Sequence, residues 1–332
     1  MNFINIASVG SGPIVRTTLE CLRGLDGVRI SAVCSRSEAR AAALAAEFGA
    51  ARTWTRLEEL LADKDVNCVY LATPNSLHAG QIRQALEAGK HVLCEKPFCT
   101  RAEEAEALFD LAERKGLMMF ETAPTTFLPN YRLLRQSLPK LGRIRIVTAN
   151  YSQYSGRYDL LRRGELPNVF NPAFAGGCLM DLGFYNLLLN VALFGPPVEA
   201  EYRPNWFELP GGGRIDTSGV ALLQYPDFLS VNVCAKDTWG ESFFQIEGED
   251  GWLCVRGGSN GLRSLSLETR SGREELNDQA DGSRWSCEFS ELTRLLLAED
   301  HAACAARRTV TVETVRLMEK IRTDAGLIFP EL

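Results

Sequence analysis

The chain has 332 residues, with 36 Lys and Arg against 42 Asp and Glu, a formal net charge of -6. That length leaves room for two domains, and the mild acidity excludes the concentrated basic charge by which nucleic acids and anionic membranes are usually bound, so a small molecule is the expected partner. The ten cysteines are scattered with no C-x-x-C spacing and there are only three histidines, His78, His91 and His301, which predicts reduced core thiols and no metal site.

The opening "MNFINIASVG" lacks the basic flank and small-residue cleavage site of a signal peptide and reads as a first strand; with reduced cysteines it predicts a cytoplasmic protein. From residue 3 to about 120, apolar runs ("FINIASV", "VRISAVC", "VNCVYLAT", "HVLCE", "LMMFETA") alternate with helical patterns ("IVRTTLECLRG", "EARAAALAAEFG", "LHAGQIRQALEAG", "RAEEAEALFDLAERKG"). This alternation predicts an α/β fold with a doubly wound parallel sheet, the Rossmann arrangement, over residues 1–122.

After about residue 122 the rhythm changes, and residues 123–332 are expected to form an α+β domain with an open, mostly antiparallel sheet. "VALLQYPDFLSVNVCAKD" and "SFFQIEGEDGWLCVRGG" look like its hairpins. The uncharged run "LGFYNLLLNVALFGPPV" from Leu182 approaches membrane length, but Gly183, Asn186, Asn190, Gly195 and two prolines make it a buried helix.

"SVGSGPIV" joins the first strand to the first helix, with Gly10, Ser11, Gly12, Pro13 and Ile14 placed to let a pyrophosphate approach the helix amino terminus. The third glycine of the dinucleotide fingerprint is replaced by Val15. Where an NAD-preferring fold sets a carboxylate after the second strand, this chain has Ser35 and Arg36, with Arg40 one turn on. A hydroxyl and guanidinium groups there predict NADP over NAD. Thr73, Pro74 and Asn75 form a turn at the same sheet edge. His78 follows, either as a cofactor-edge residue or as a cap or packing group.

By the same rule the strand "HVLCE" delivers Glu95 and Lys96 to the cofactor edge, with Pro97 restraining the backbone at an X-Pro bond that can be cis. In "GGCLMDLGFYNLLL", Asp181 and Tyr185 stand four residues apart, on one face if the helix has begun by Asp181. Asp181 as a helix cap and Tyr185 as a core residue is the other reading of that stretch.

Taken in order, the glycine turn, the Ser-Arg pair, "TPN", "EKP" and "GG…DLGFY" resemble the glucose–fructose oxidoreductase / inositol dehydrogenase / MocA family over essentially the whole chain. The resemblance implies a Rossmann domain followed by a substrate domain whose open sheet commonly mediates dimers or tetramers. It also implies sugar, polyol or related hydroxy and carbonyl substrates, a catalytic lysine at Lys96, a carboxylate at Asp181 and an acid/base residue at Tyr185. Tyr185, where many polyol dehydrogenases of the family have histidine, resembles the glucose–fructose, xylose and dihydrodiol branches.

Hydride exchange with a nicotinamide requires a proton to move at the adjoining substrate oxygen. A lysine's positive charge favours tyrosinate and a developing alkoxide, so Tyr185 is assigned the proton and Lys96 the electrostatic support, the reverse assignment being the alternative. Arg157, Tyr158 and Asn168 are expected to bind substrate hydroxyls or to fix their own loops. Two rival functions share this fold family: a dinucleotide-binding sensor without turnover, and an NAD-dependent glycosidase.

Overall fold

The computed structural model describes residues 3–279 and 283–330; Met1 and Asn2 of the opening run lie outside it. The chain divides into two compact units, Met1–Ala123 with Ser283–Val312, and Pro124–Gly282 with Glu313–Leu332.

The first unit holds a six-stranded sheet of β1 (Ile4–Val9), β2 (Val28–Cys34), β3 (Arg52–Trp54), β4 (Cys68–Leu71), β5 (His91–Glu95) and β6 (Met119–Thr122). Every pairing is parallel and the order is β3-β2-β1-β4-β5-β6. The order reverses between β1 and β4, and in such sheets the carboxyl ends of the strands at that reversal form the ligand crevice. The connecting helices are α1 (Pro13–Leu22), α2 (Glu38–Phe48), α3 (Leu57–Leu61), α4 (His78–Glu87) and α5 (Ala102–Arg114). Central strands are covered on both faces, hence the fully buried runs Cys68 to Leu71 and Val92 to Cys94. The edge strand β3 is three residues of mixed polarity and carries no hydrophobic pattern by which sequence could reveal it.

The second unit contains α6 (Pro129–Ser137), β7 (Ile144–Ser152), α7 (Gly156–Arg162), α8 (Phe184–Phe194) and β8 (Glu199–Glu208), followed by β9 (Arg214–Gln224), β10 (Leu229–Ala235), β11 (Phe243–Gly248), β12 (Gly251–Arg256), β13 (Ser264–Thr269) and β14 (Gly272–Leu276). Its eight-stranded sheet runs β14-β13-β12-β11-β7-β10-β9-β8, antiparallel except for the β7–β10 pair. Both hairpins expected from sequence are present, as β9–β10 and β11–β12. The long apolar run forms α8, a buried helix docked on one sheet face. Its Asn186 Nδ2 donates to the Val233 carbonyl (2.9 Å) and its Asn190 Nδ2 to Asn232 Oδ1 (2.8 Å). Buried asparagines with partners are tolerated in such a helix, where an aliphatic residue would leave the sheet's polar groups unmet.

The sequence divides the chain once, near residue 122, whereas the first unit takes back α9 (Arg284–Leu297) and the start of α10 (His301–Asp324). The reason is an apolar stripe on α9. Phe289 and Leu292 are fully buried, and Phe289 meets Tyr70 of β4 edge-to-face at 5.8 Å. All ten cysteines are free thiols, seven of them buried.

Candidate active site

In the first unit, β1 ends in a turn built for close approach. Gly10 sits at φ +119°, where an added Cβ would lie 2.5 Å from the Ala72 carbonyl oxygen, so only glycine serves. Gly12 is the N-cap of α1, and no side chain caps the helix there. Pro13 occupies its first turn, and a Cβ built on Gly12 meets nothing within 4 Å. The leading amides of α1 therefore face open space with the positive end of a helix dipole behind them, which fits a pyrophosphate. Val15, in place of the third glycine, is fully buried and packs the helix onto the sheet.

After β2, Ser35 is buried and its Oγ donates to Ser11 Oγ at 3.0 Å while accepting from the Ser37 amide at 3.3 Å, tying the two cofactor-edge turns together. Ser37 caps α2 by accepting from the Arg40 amide. Arg36 and Arg40 are exposed, and no ion pair involving either occurs among the described residues. Two uncommitted guanidinium groups beside a serine match the 2′-phosphate of NADP better than the paired hydroxyls of NAD.

The Thr73-Pro74-Asn75 turn and the Lys96 turn are held by one residue. His78 is fully buried, with Nε2 2.9 Å from the Thr73 carbonyl oxygen and Nδ1 2.9 Å from that of Pro97. Burial pushes its imidazole pKa down against the pull of those two acceptors. Its ring is thus an internal brace between the turns, as the packing reading of the sequence expects. Thr73 Oγ1 donates to Gln81 Oε1 at 2.6 Å, and Pro74 and Asn75 stay half-buried at the edge. Lys96 follows β5, half-buried, and the Lys96–Pro97 peptide is cis.

Behind Lys96 the carboxylates are committed. Glu95 accepts from Tyr70 Oη at 2.6 Å, and Tyr70 in turn accepts from Thr18 Oγ1 at 2.9 Å. Glu121 accepts from the Phe98 amide at 2.8 Å and from Thr311 Oγ1 at 3.2 Å. Burial raises both carboxyl pKa values, that of Glu121 to about 7. Glu95 thus anchors the turn through its side chain.

In the second unit, Asp181 lies in a π-helical turn, Leu179–Gly183, that runs directly into α8, and Tyr185 lies in the first turn of α8. Such wide turns keep residues four apart near one another and are frequent at functional sites. The turn is fixed from beneath by Asp216, which is fully buried and accepts from the Leu179 amide (2.7 Å) and Tyr202 Oη (2.8 Å), with its carboxyl pKa raised by burial to about 6. Gly177 stands at φ +119°, and a Cβ on it would strike that carboxylate at 2.1 Å. Tyr185 is 6 % exposed, with its ring edge-to-face to Tyr151 at 5.7 Å and to Phe184 at 5.3 Å. Asp181 keeps 31 % of its side chain exposed and forms an ion pair with Lys236, whose side chain is 7 % exposed.

Lys236 also lines a cavity of about 480 Å³ together with Gln153, Tyr154, Ser155, Arg157 and Leu160. Of the three residues expected to bind substrate, Arg157 therefore faces a cavity. Tyr158 packs into an apolar cluster with Phe170, Leu209 and Ile215, and Asn168 is exposed at the start of a short 3-10 turn. Sequence reasoning missed Lys236 and Asp216. A signal for Lys236 existed: like Lys96, it is a cation directly following an apolar strand.

Residues 4–122 match the model of the oxidoreductase family with an NAD-binding Rossmann fold, and residues 135–254 match the GFO/IDH/MocA C-terminal domain. The chain is 34% identical over 331 residues to scyllo-inositol 2-dehydrogenase (NADP(+)) IolU of Bacillus subtilis, covering 98% of each. It is 33% identical over 225 residues to D-xylose 1-dehydrogenase (NADP(+)) 2 of Haloferax volcanii, covering 67% of this chain and 66% of that one. Its fold is shared with KijD10, a 3-ketoreductase from Actinomadura kijaniata solved with NADP and TDP-benzene, at a TM-score of 0.83 and 23% identity over 97% of this chain and 98% of that one. With both domain models matched in order and a relative aligned nearly end to end, the chain belongs to the GFO/IDH/MocA family of oxidoreductases.

Proposed function

We propose that the protein is an NADP-dependent dehydrogenase or reductase acting on a sugar, polyol or related hydroxy or carbonyl compound, with Lys96 and Tyr185 handling the proton. The observation that carries this reading is the turn on which Asp181 and Tyr185 stand together, retained with Lys96 in a chain that a pure sensor would not need to equip so. The NADP-dependent names of the two dehydrogenase relatives support the cofactor.

When bound, NADP supplies the redox chemistry, a two-electron exchange with one substrate carbon. Gly10, Ser11, Gly12, Pro13 and Ile14 receive the pyrophosphate, Ser35, Arg36 and Arg40 the adenosine 2′-phosphate, and the Thr73 to Asn75 turn the edge of the crevice. Tyr185 gives or takes the proton at the substrate oxygen, Lys96 stabilises negative charge developing on that oxygen, and Asp181 holds a substrate hydroxyl. Arg157 contributes to substrate binding from the cavity wall.

An Arg36→Glu variant is expected to lose about 10- to 100-fold in affinity for NADPH, the worth of a charge-assisted hydrogen bond, and to lose much less for NADH. Titration of each reduced cofactor by fluorescence checks this, and an unchanged NADPH-to-NADH ratio would assign the 2′-phosphate elsewhere.

The free cysteines suit a reducing compartment, so the protein works in the cytoplasm. It works there as a homodimer or homotetramer. The face of the second sheet opposite α8 exposes Ile146, Val220 and Leu229, which the strand register sets in one patch with Val231 and Leu222. Sheet faces of this kind are normally covered. A Val231→Lys variant is expected to lower the mass measured by light scattering toward that of the monomer; an oligomer of unchanged mass would place the contact on another surface.

The functional assay is repeated turnover of NADPH or NADP against aldoses, ketoses, inositols and dicarbonyls, followed by nicotinamide absorbance. Release of a sugar leaving group without net cofactor change would instead make the protein a glycosidase, and the absence of any turnover would favour the sensor.

A further inference from the structure

We infer that Lys236 is a positioning residue for this reaction, its buried ammonium holding Asp181 ionised and aimed on the turn that presents Tyr185. The inference rests on the reading above, in which Asp181 holds a substrate hydroxyl.

Lys236 is fixed before its side chain is considered. It follows β10 directly, its amide donates to the Thr217 carbonyl at 2.9 Å, and its own carbonyl accepts from the Ser155 amide at 2.9 Å. The aliphatic stem is buried, and the ammonium lies 6.0 Å from the centre of the Phe170 ring. A buried cation requires a counter-charge, because neither the stem nor an aromatic face replaces lost hydration.

The neighbouring carboxylates have donors of their own. Asp237 accepts through one oxygen from Thr217 Oγ1 (2.7 Å) and Ser218 Oγ (2.9 Å), and Asp216 accepts through one oxygen from Leu179 and Tyr202. The Lys236 ammonium donates to Asp181. The burial is one-sided: the lysine is enclosed, whereas nearly a third of the Asp181 side chain is open. One carboxylate oxygen is held from within while the group as a whole still reaches solvent, as a group must that receives a substrate hydroxyl. A pair serving stability alone gains little from this arrangement, since an apolar pair of the same volume is commonly at least as stable.

Among the described residues of the second unit, titratable groups near the pair include Cys178, Cys234, Tyr202 and Asp216 beneath it, Asp237 next in the chain, Arg157 on the cavity wall, and Tyr185 four residues beyond Asp181, its ring against Tyr151. Within the second unit, Lys236 and Asp181 form an ion pair.

The test uses the full chain with NADPH and its best substrate, comparing Lys236→Met, Lys236→Arg, Asp181→Asn and the Lys236→Met/Asp181→Asn double variant. We expect Lys236→Met to lower kcat/KM by about 100-fold, the usual cost of one misplaced catalytic group, and to move the acidic limb of its pH profile upward by about one unit. Lys236→Arg restores most of the activity, NADPH affinity is unchanged, and Lys236→Met adds less than about threefold once Asp181 is Asn. Should Lys236→Met fail to fold, the arginine variant and the double variant, which carries no unpaired charge, give the same comparison. Normal turnover and an unshifted profile in Lys236→Met, with Asp181→Asn inactive, would overturn the inference and leave the functional reading intact. An equal loss in both backgrounds with an unshifted limb would also overturn it, as a purely structural role. Full activity in Asp181→Asn would instead overturn the functional reading.

Discussion

A Lys96→Met variant binds NADPH with the affinity of the unchanged protein and turns over substrate about 10²- to 10³-fold more slowly, the usual cost of removing one preorganised charge from a developing oxyanion. The expectation follows from how the lysine is set. Its turn is anchored on both sides: His78 binds the Pro97 carbonyl, and Glu121 binds the Phe98 amide. Methionine keeps the length of the stem and removes the charge, so the turn survives and the loss falls on kcat. Steady-state kinetics together with cofactor titration separate the two effects. Full activity in this variant would remove Lys96 from the mechanism.

Tyr185→Phe is expected to cost about 10²- to 10⁴-fold in kcat, the range of a lost general acid or base, at little cost in stability. The ring is held by Tyr151 and Phe184 in edge-to-face contacts that phenylalanine preserves. Only the hydroxyl goes. A thermal melt matching that of the unchanged protein, paired with the kinetic loss, identifies the phenol as the proton carrier. An active Tyr185→Phe variant would pass that role to Lys96, the reverse assignment that the sequence leaves open.

The parallel sheet was readable because each central strand is a short apolar run bounded by a helix pattern and a turn residue. The cofactor edge was readable for a related reason: "SVGSGPIV" and "HVLCEKP" state in one stretch both the strand and what it delivers. What sequence concealed depends on contacts distant in the chain. The π-helical turn at Leu179–Gly183 has no periodicity of its own and depends on Asp216, a residue of β9 whose carboxylate caps it from below. Lys236, which pairs with Asp181, lies 55 residues further on, and the register of β10 brings it there. His78 looked like an edge residue by position, and its inward ring becomes evident only when the carbonyls of Thr73 and Pro97 are seen on either side of it. Tyr158 offers a hydroxyl in sequence and an apolar surface in the fold, since Phe170 and Phe207 meet its ring.

The most direct test of the account is isotope transfer. NADPH deuterated at the reacting carbon of the nicotinamide is incubated in excess with the protein and a carbonyl substrate, and both product and cofactor are examined by mass spectrometry. The account predicts that deuterium appears on carbon in the reduced product over many turnovers, with matching loss of NADPH. Deuterium that stays on the cofactor, or a product formed without net loss of NADPH, would contradict it.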